Sequence, residues 1–284
     1  TSQQAALDAL QGDDNLFITG SAGTGKSYLI TEWLSRDETW QDQTGDIAIV
    51  ASTGAAAILV GGVTFHSFFG LGLAQESDSK IRDKVRRNRR THRRIQETSL
   101  IILDEVSMIS GRLLGIASQI CQDAMDSELP WGGIRIVCIG DFHQLPPISA
   151  SHGTDWAFLH PTWEETGFHV YPLREVMRTQ NEEFMKVLED IRSGRITQEV
   201  NKFMAERIRH DTDDLVGTRL YSRKNKVAEY NLERLVRIPS PTIRSITEYT
   251  GDESCFKRLK KSVPFDEKLM IKKGALVMMR KNKP

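Results

Sequence analysis

Residues 15–34 read Asn15-Leu16-Phe17-Ile18-Thr19, then Gly20-Ser21-Ala22-Gly23-Thr24-Gly25-Lys26-Ser27, then Tyr28-Leu29-Ile30-Thr31-Glu32-Trp33-Leu34. The first block is a short apolar run of the kind a buried strand needs. The middle block fits G-x-x-x-x-G-K-[ST], and the last carries apolar residues at helical spacing. Strand, glycine loop and helix in that order aim a helix N-terminus at phosphate. A triphosphate is polyanionic and needs backbone N–H groups at close range, which glycine permits because it has no Cβ. Lys26 can reach the β- and γ-phosphates as a point charge, and the Ser27 hydroxyl can take a Mg²⁺ site. ATP and Mg²⁺ are the expected cofactors. Gly23, Thr24, Gly25, Lys26, Ser27 and the following Tyr28 are the expected nucleotide contacts. A plain Gly-rich turn, the alternative, leaves the flanking strand and helix patterns unexplained.

Further along, strand-like runs at 46–51, 99–103 and 134–139 alternate with helical segments at 54–60 and 112–125. That alternation predicts a parallel α/β sheet. Active-site residues then belong just past the strand C-termini, where Gly20, Thr53, Asp104 and Asp141 stand. A second region is expected to begin near Pro161. It should hold helices at 182–192, 199–208 and 224–236 and short strands at 218–222 and 274–280, while 238–273 gives no clear pattern.

The run Leu100-Ile101-Ile102-Leu103 feeds the pair Asp104-Glu105. Asp104 is the expected Mg²⁺ ligand with Ser27, and Glu105 is placed to orient or deprotonate an attacking water. An acidic pair after a strand is weak alone and gains weight from the phosphate loop upstream. The next strand ends in Gly140-Asp141-Phe142-His143-Gln144-Leu145-Pro146-Pro147. Gln144 there can touch both the γ-phosphate and the water, while the prolines fix a rigid turn. His143 is expected to be structural. The segments around Thr53-Gly54 and Thr64-Phe65-His66-Ser67 join small residues, hydroxyls and aromatics, a mixture suited to phosphates and stacked bases. They are the expected nucleic-acid contacts, against the alternative of tight helix–sheet packing. Phe68 and Phe69 are expected in the core.

The 284 residues carry 38 Lys+Arg against 38 Asp+Glu, a formal net charge of zero. Between Lys80 and Arg94, however, nine Lys/Arg face one Asp. A local block of this kind suits a phosphate backbone, or else forms a solvated loop. No apolar run is long enough to span a bilayer. Cys121, Cys138 and Cys255 lie far apart without a C-x-x-C pair, so buried thiols are expected, not a zinc site or disulfide framework.

Taken in order, GSAGTGKS, ASTGAAA, TFHSFFG, LDEVSM, GDFHQLPP and LREVMRTQN resemble the petite-integration-frequency (PIF) helicases, a branch of superfamily 1. The segment 105–125 keeps Glu105, Ser107, Met108, Leu114 and Ile120 of that family's pattern. Gln122 and Met125 stand where the family often has Arg. The resemblance implies an ATP-driven motor moving 5′ to 3′ on single-stranded DNA and unwinding forked or structured DNA. It implies work in replication, repair, recombination and telomere maintenance. A P-loop ATPase that remodels protein–nucleic acid complexes is the alternative.

The implied fold is α/β: a P-loop RecA-like parallel sheet domain over 1–160, with a basic wedge-like insertion at about 72–98. An incomplete second RecA-like domain would follow over 161–284. Gln4 matches an adenine-reading glutamine, and Arg178 matches an arginine that reaches the γ-phosphate from the second domain. Lys26, Glu105, Gln144 and Arg178 are thus the expected catalytic set. The family continues past 274–282 into two further motifs, so this chain alone is expected to bind nucleotide weakly and hydrolyse it slowly or not at all. A monomer without membrane contact is expected, in the nucleus or mitochondrion of a eukaryote or the cytoplasm of a bacterial or viral host.

Overall fold

The structure is a computed structural model describing residues 1–36, 47–148, 153–208, 217–250, 256 and 267–277. The chain divides into two compact units, Thr1–Ile208 and Arg209–Pro284.

The first unit is built on β1 (Leu16–Gly20), β2 (Ile47–Ala51), β3 (Val63–Thr64), β4 (Leu100–Asp104), β5 (Arg135–Gly140) and β6 (His169–Leu173). They form one sheet in the order β3-β2-β4-β5-β1-β6, with every neighbouring pair parallel. Strands covered on both faces read as continuous apolar runs, and β4 is buried at every position. Its side chains alternate between the faces. Ile101 and Leu103 join an apolar cluster with Phe65, Ile81, Ile95 and Leu114. Leu100 and Ile102 join one with Leu10, Leu29 and Trp33.

The helices of this unit are α1 (Ser2–Leu10), α2 (Lys26–Arg36), α3 (Gly54–Leu59), α4 (Phe65–Phe68), α5 (Asp78–Arg86) and α6 (Arg89–Gln96). They continue with α7 (Gly111–Met125), α8 (Pro161–Thr166), α9 (Glu182–Arg192) and α10 (Gln198–Ala205). Polar caps fix several starts. The Ser110 hydroxyl accepts from the Leu113 N–H at 3.2 Å to open α7, and Asn181 accepts from the Phe184 N–H at 2.8 Å to open α9. Gly194, at φ +72°, follows the end of α9 in the left-handed region that stops a helix.

The basic stretch is not a solvated loop. It folds as α5 and α6, whose Ile81, Val85 and Ile95 are buried against the sheet-covering layer beside α7. Arg112 of α7 ties down its approach, bonding Asp78 at 2.7 Å and the carbonyls of Ala74 and Glu76 at 3.0 and 2.6 Å. Gln122 donates to the carbonyls of Glu128 and Leu129 at 3.1 and 3.2 Å, closing the turn after α7. Met125 lies against Gly132 in that turn. Cys121 and Cys138 are buried free thiols, and Cys255 lies outside the described residues.

The sheet continues past the boundary expected at residue 160. β6 pairs with β1 from Leu16↔His169 to Gly20↔Leu173, and α9 and α10 stay in the first unit. The expected strand at 218–222 does not form. Helix α11 (Lys224–Arg237) does, followed by antiparallel β7 (Thr242–Ile246) and β8 (Lys268–Lys272). No strand forms over 274–277, and the rest of the run expected at 274–280 lies outside the described residues. Helix α11 buries no residue, and β7 and β8 are largely exposed.

Candidate nucleotide site

Parallel packing brings the C-terminal ends of β1, β5 and β4 side by side, with β5 in the middle. The phosphate loop after β1 depends on glycine. Gly23 has φ +84°, and a Cβ there would come within 2.8 Å of Arg178 Cβ. Lys26 Nζ donates to the carbonyls of Gly20 and Ser21 at 2.8 and 3.1 Å, which holds its ammonium over the loop. The buried Thr24 hydroxyl donates to the Ser21 carbonyl at 3.0 Å. Tyr28 is exposed and its hydroxyl donates to Glu32 at 3.1 Å.

Across the sheet, Ser27 Oγ donates to Asp104 Oδ2 at 3.1 Å. The Glu105 N–H donates to Asp104 Oδ1 at 2.9 Å, and Glu105 itself sits in the left-handed region at φ 54°. Burial pushes the Asp104 carboxyl up, and these two donors and Lys26 only partly oppose it. Burial and then the Asp104 charge push Glu105 up as well. Burial pushes the Lys26 ammonium down against the pull of Asp141, Glu105 and Asp104. Ser27 and Asp104 fit a Mg²⁺ ion that also takes oxygens from phosphate and water. Among the described residues no cluster of three or more His, Cys, Asp or Glu forms an all-protein cage.

Between these groups lies Asp141, which is 1% exposed. Arg192 at the end of α9 grips it with Nε to Oδ2 at 3.1 Å and Nη2 to Oδ1 at 3.0 Å. The His143 N–H donates to Oδ1 at 3.1 Å and Gln144 Nε2 to Oδ2 at 3.2 Å. Burial alone would raise this carboxyl, but the Arg192, His143 and Gln144 bonds outweigh it and hold it below the usual range. A cleft of about 870 Å³ opens here, lined by Ser21, Asp141, Gln144, Arg178 and Arg192 among others. The sequence offered no signal for Arg192 beyond its place as the last residue of a helix.

Arg178 and Gln4 complete the set of expected residues. Arg178 belongs to the first unit and packs directly on the phosphate loop, because the Met177 N–H donates to the Gly23 carbonyl at 2.8 Å. Its side chain is exposed. Gln4 is also exposed and bonds Asp8 along its own helix at 2.8 Å. The neighbouring Gln3 is the glutamine that reaches the loop, donating to the Thr24 carbonyl at 3.1 Å.

The expected DNA contacts gather at the ends of β2 and β3, where Ala51 pairs with Thr64. Thr53 caps α3 and Thr64 caps α4. Gly54 and Ser67 are exposed, and burial pushes the half-buried His66 down, which favours its neutral form. Phe65 does not offer its ring: it is fully buried against Phe69, an apolar anchor under α4. Arg94 donates to the carbonyls of Ser67 and Phe68 and lies 5.0 Å over the Phe68 ring. Arg82 pairs with Asp123 at 2.8 Å and Arg93 with Glu97 at 2.7 Å. Arg86, Arg87, Arg89 and Arg90 are exposed around the α5–α6 turn, with no carboxylate partner among the described residues.

The sequence pattern of the PIF1-like helicase family matches residues 2–202. The chain belongs to that family. The ATP-dependent DNA helicase Pif1 of Bdellovibrio bacteriovorus is 40% identical over 283 residues, covering 99% of this chain and 63% of that protein. The PIF1 helicase of Saccharomyces cerevisiae is 33% identical over 288 residues, 99% of this chain and 33% of that protein. The chain therefore spans a third to just under two thirds of these relatives' lengths. The crystal structure of Pif1 helicase from Candida albicans superposes with a TM-score of 0.85 at 30% identity, over 96% of this chain and 62% of that one. Bacteroides Pif1 bound to single-stranded DNA shares the fold, with a TM-score of 0.70 at 24% identity over 95% of this chain and 62% of that one. No described helix is long and apolar enough to cross a membrane.

Proposed function

We propose that this chain is the nucleotide-binding part of an ATP-dependent DNA helicase that moves 5′ to 3′ on single-stranded DNA and separates forked or structured duplexes. The observation that carries the reading is the convergence of Lys26, Ser27, Asp104 and Glu105 beyond the ends of β1 and β4, the strands on either side of β5, with Ser27 and Asp104 3.1 Å apart. Family membership supports it: relatives are named ATP-dependent DNA helicases.

In this reading Lys26 holds the β- and γ-phosphates and the loop N–H groups cradle them. Ser27 and Asp104 would hold Mg²⁺, which neutralises phosphate charge when bound. Glu105, pushed up by burial and by Asp104, takes a proton from water more readily than an ordinary carboxylate. Gln144 contacts the γ-phosphate and the water, and Arg178 stabilises charge developing on the γ-phosphate. Gln4 is proposed to read the adenine, beside Gln3, which reaches the Thr24 carbonyl. Thr53, Gly54, Thr64, His66 and Ser67 would meet the DNA backbone, helped by the exposed arginines of the α5–α6 wedge. The motor is proposed to act as a monomer.

A duplex with a 5′ single-stranded overhang, offered with ATP and Mg²⁺ to the full-length protein, tests this. Strand separation is expected with the 5′ overhang and not with a 3′ one. ATP hydrolysis without separation of either substrate would favour a remodelling ATPase, and separation from the 3′ overhang would reverse the polarity.

A further inference from the structure

Asp141 is a hub that the hydrolysis scheme leaves without a role. It is almost fully buried and accepts from the Arg192 guanidinium twice, from the His143 N–H and from Gln144 Nε2. An ionised carboxylate accepts hydrogen bonds and donates none. The end of the Gln144 amide facing Asp141 must then be its NH₂ group. Its oxygen is left as an acceptor, the property needed to hold a proton of an attacking water.

This orientation holds only while Asp141 stays ionised. Arg192 supplies the compensating charge, and its fork matches both carboxylate oxygens. Without the guanidinium, a carboxylate this deeply buried tends to take up a proton. A protonated Asp141 could donate to the amide oxygen of Gln144, and the amide would turn over. Among the described residues the other polar partner of Arg192 is Glu189, at 3.5 Å, on the helix's own exposed face.

We propose that Arg192 is a positioning residue for ATP hydrolysis, acting through Asp141 to hold the Gln144 amide with its oxygen turned toward the water. The proposal rests on the role given to Gln144 above. Arg192 touches no reacting atom in this scheme.

The test uses the full-length protein and compares Gln144→Ala, Arg192→Gln, Arg192→Lys and the Gln144→Ala/Arg192→Gln double variant. The readouts are kcat and KM for ATP with saturating single-stranded DNA, with thermal melting to confirm folding. Arg192→Gln is expected to lower kcat by about tenfold or more while KM changes by less than about threefold, the signature of an interaction made in the transition state. The double variant should be no slower than Gln144→Ala alone, because both changes break one chain of contacts. Arg192→Lys should recover only part of the loss, since an ammonium cannot grip both oxygens. If Arg192→Gln does not fold, Asp141→Asn replaces it, with the same expected loss and the same lack of additivity.

Normal kcat in Arg192→Gln, a loss confined to KM, or losses that multiply in the double variant would each overturn the proposal. Normal turnover by Gln144→Ala removes the Gln144 reading and this proposal with it. Slow Gln144→Ala beside normal Arg192→Gln removes this proposal alone.

Discussion

β4 and β5 are parallel neighbours, and each delivers carboxylate to the same edge of the sheet, yet the two ends differ in electrostatic character. At the end of β4, Asp104 and Glu105 are both pushed up, and Glu105 occupies a left-handed conformation costly for a residue with a Cβ. At the end of β5, Asp141 is saturated by donors and held below its usual range. Charge is left under-compensated where a cation and a polyphosphate would complete the site. It is compensated at Asp141, whose carboxylate holds the loop that carries Gln144. Strain and unmet charge concentrate at the working end, as expected when function is stabilised by the surrounding framework.

The largest effect expected from this contrast is at Glu105. In Glu105→Gln, hydrolysis should fall by about 10²–10⁴-fold, the usual contribution of a general base. The same change should raise Tm at pH 7. A raised folded pKa means that the ionised carboxyl destabilises the fold at neutral pH, so removing the charge removes that cost. The gain should shrink as the pH falls from the raised folded pKa and be gone below the ordinary carboxylate value of about 4, where folded and unfolded chains are both protonated. Melting curves at pH 7 and pH 4 check this, and a lower Tm at pH 7 would break the comparison.

A smaller effect of opposite sign belongs to Asp141. Arg192→Gln should destabilise the fold by about 1–3 kcal/mol at pH 7, below the range for a wholly buried pair. The guanidinium side is 26% exposed, which moderates the loss. Because the folded pKa of Asp141 is depressed, its stabilisation is present above the unfolded value of about 4 and is lost as the pH falls through the lower folded one. The difference between wild type and Arg192→Gln should therefore narrow on acidification. A difference that widens would place the stabilisation elsewhere.

The smallest effect lies at the exposed turn between α5 and α6. Replacing Arg87 and Arg90 by Ala should weaken single-stranded DNA binding modestly. The slope of log affinity against log salt should fall by about one for each phosphate that an arginine no longer neutralises. Titrations at several salt concentrations measure that slope. An unchanged slope would mean that these arginines face solvent only.

Much of the site was legible because its residues are local in sequence. Strand, glycine loop and helix lie within 15–34, and Asp104-Glu105 and Asp141–Gln144 directly follow apolar strands. What escaped depends on contacts made only in three dimensions. Asp141 and Arg192 are 51 residues apart, with no pattern linking them. β6 reads as His-Val-Tyr-Pro-Leu, whose proline is tolerated because the strand lies at the sheet edge. Gln3 and Gln4 are adjacent in sequence, yet one turns to the loop and the other to solvent, a choice made by helix rotation. β7 and β8 are largely exposed, so no hydrophobic alternation marks them.

The reading proposed above has the cluster of Lys26, Ser27, Asp104 and Glu105 hydrolyse ATP in response to DNA. Steady-state ATP hydrolysis by the full-length protein, measured with and without single-stranded DNA, tests it most directly. The rate is expected to rise with DNA to saturation and to be lost in Glu105→Gln. Equal rates with and without DNA, or a Glu105→Gln variant that still responds to DNA, would contradict it.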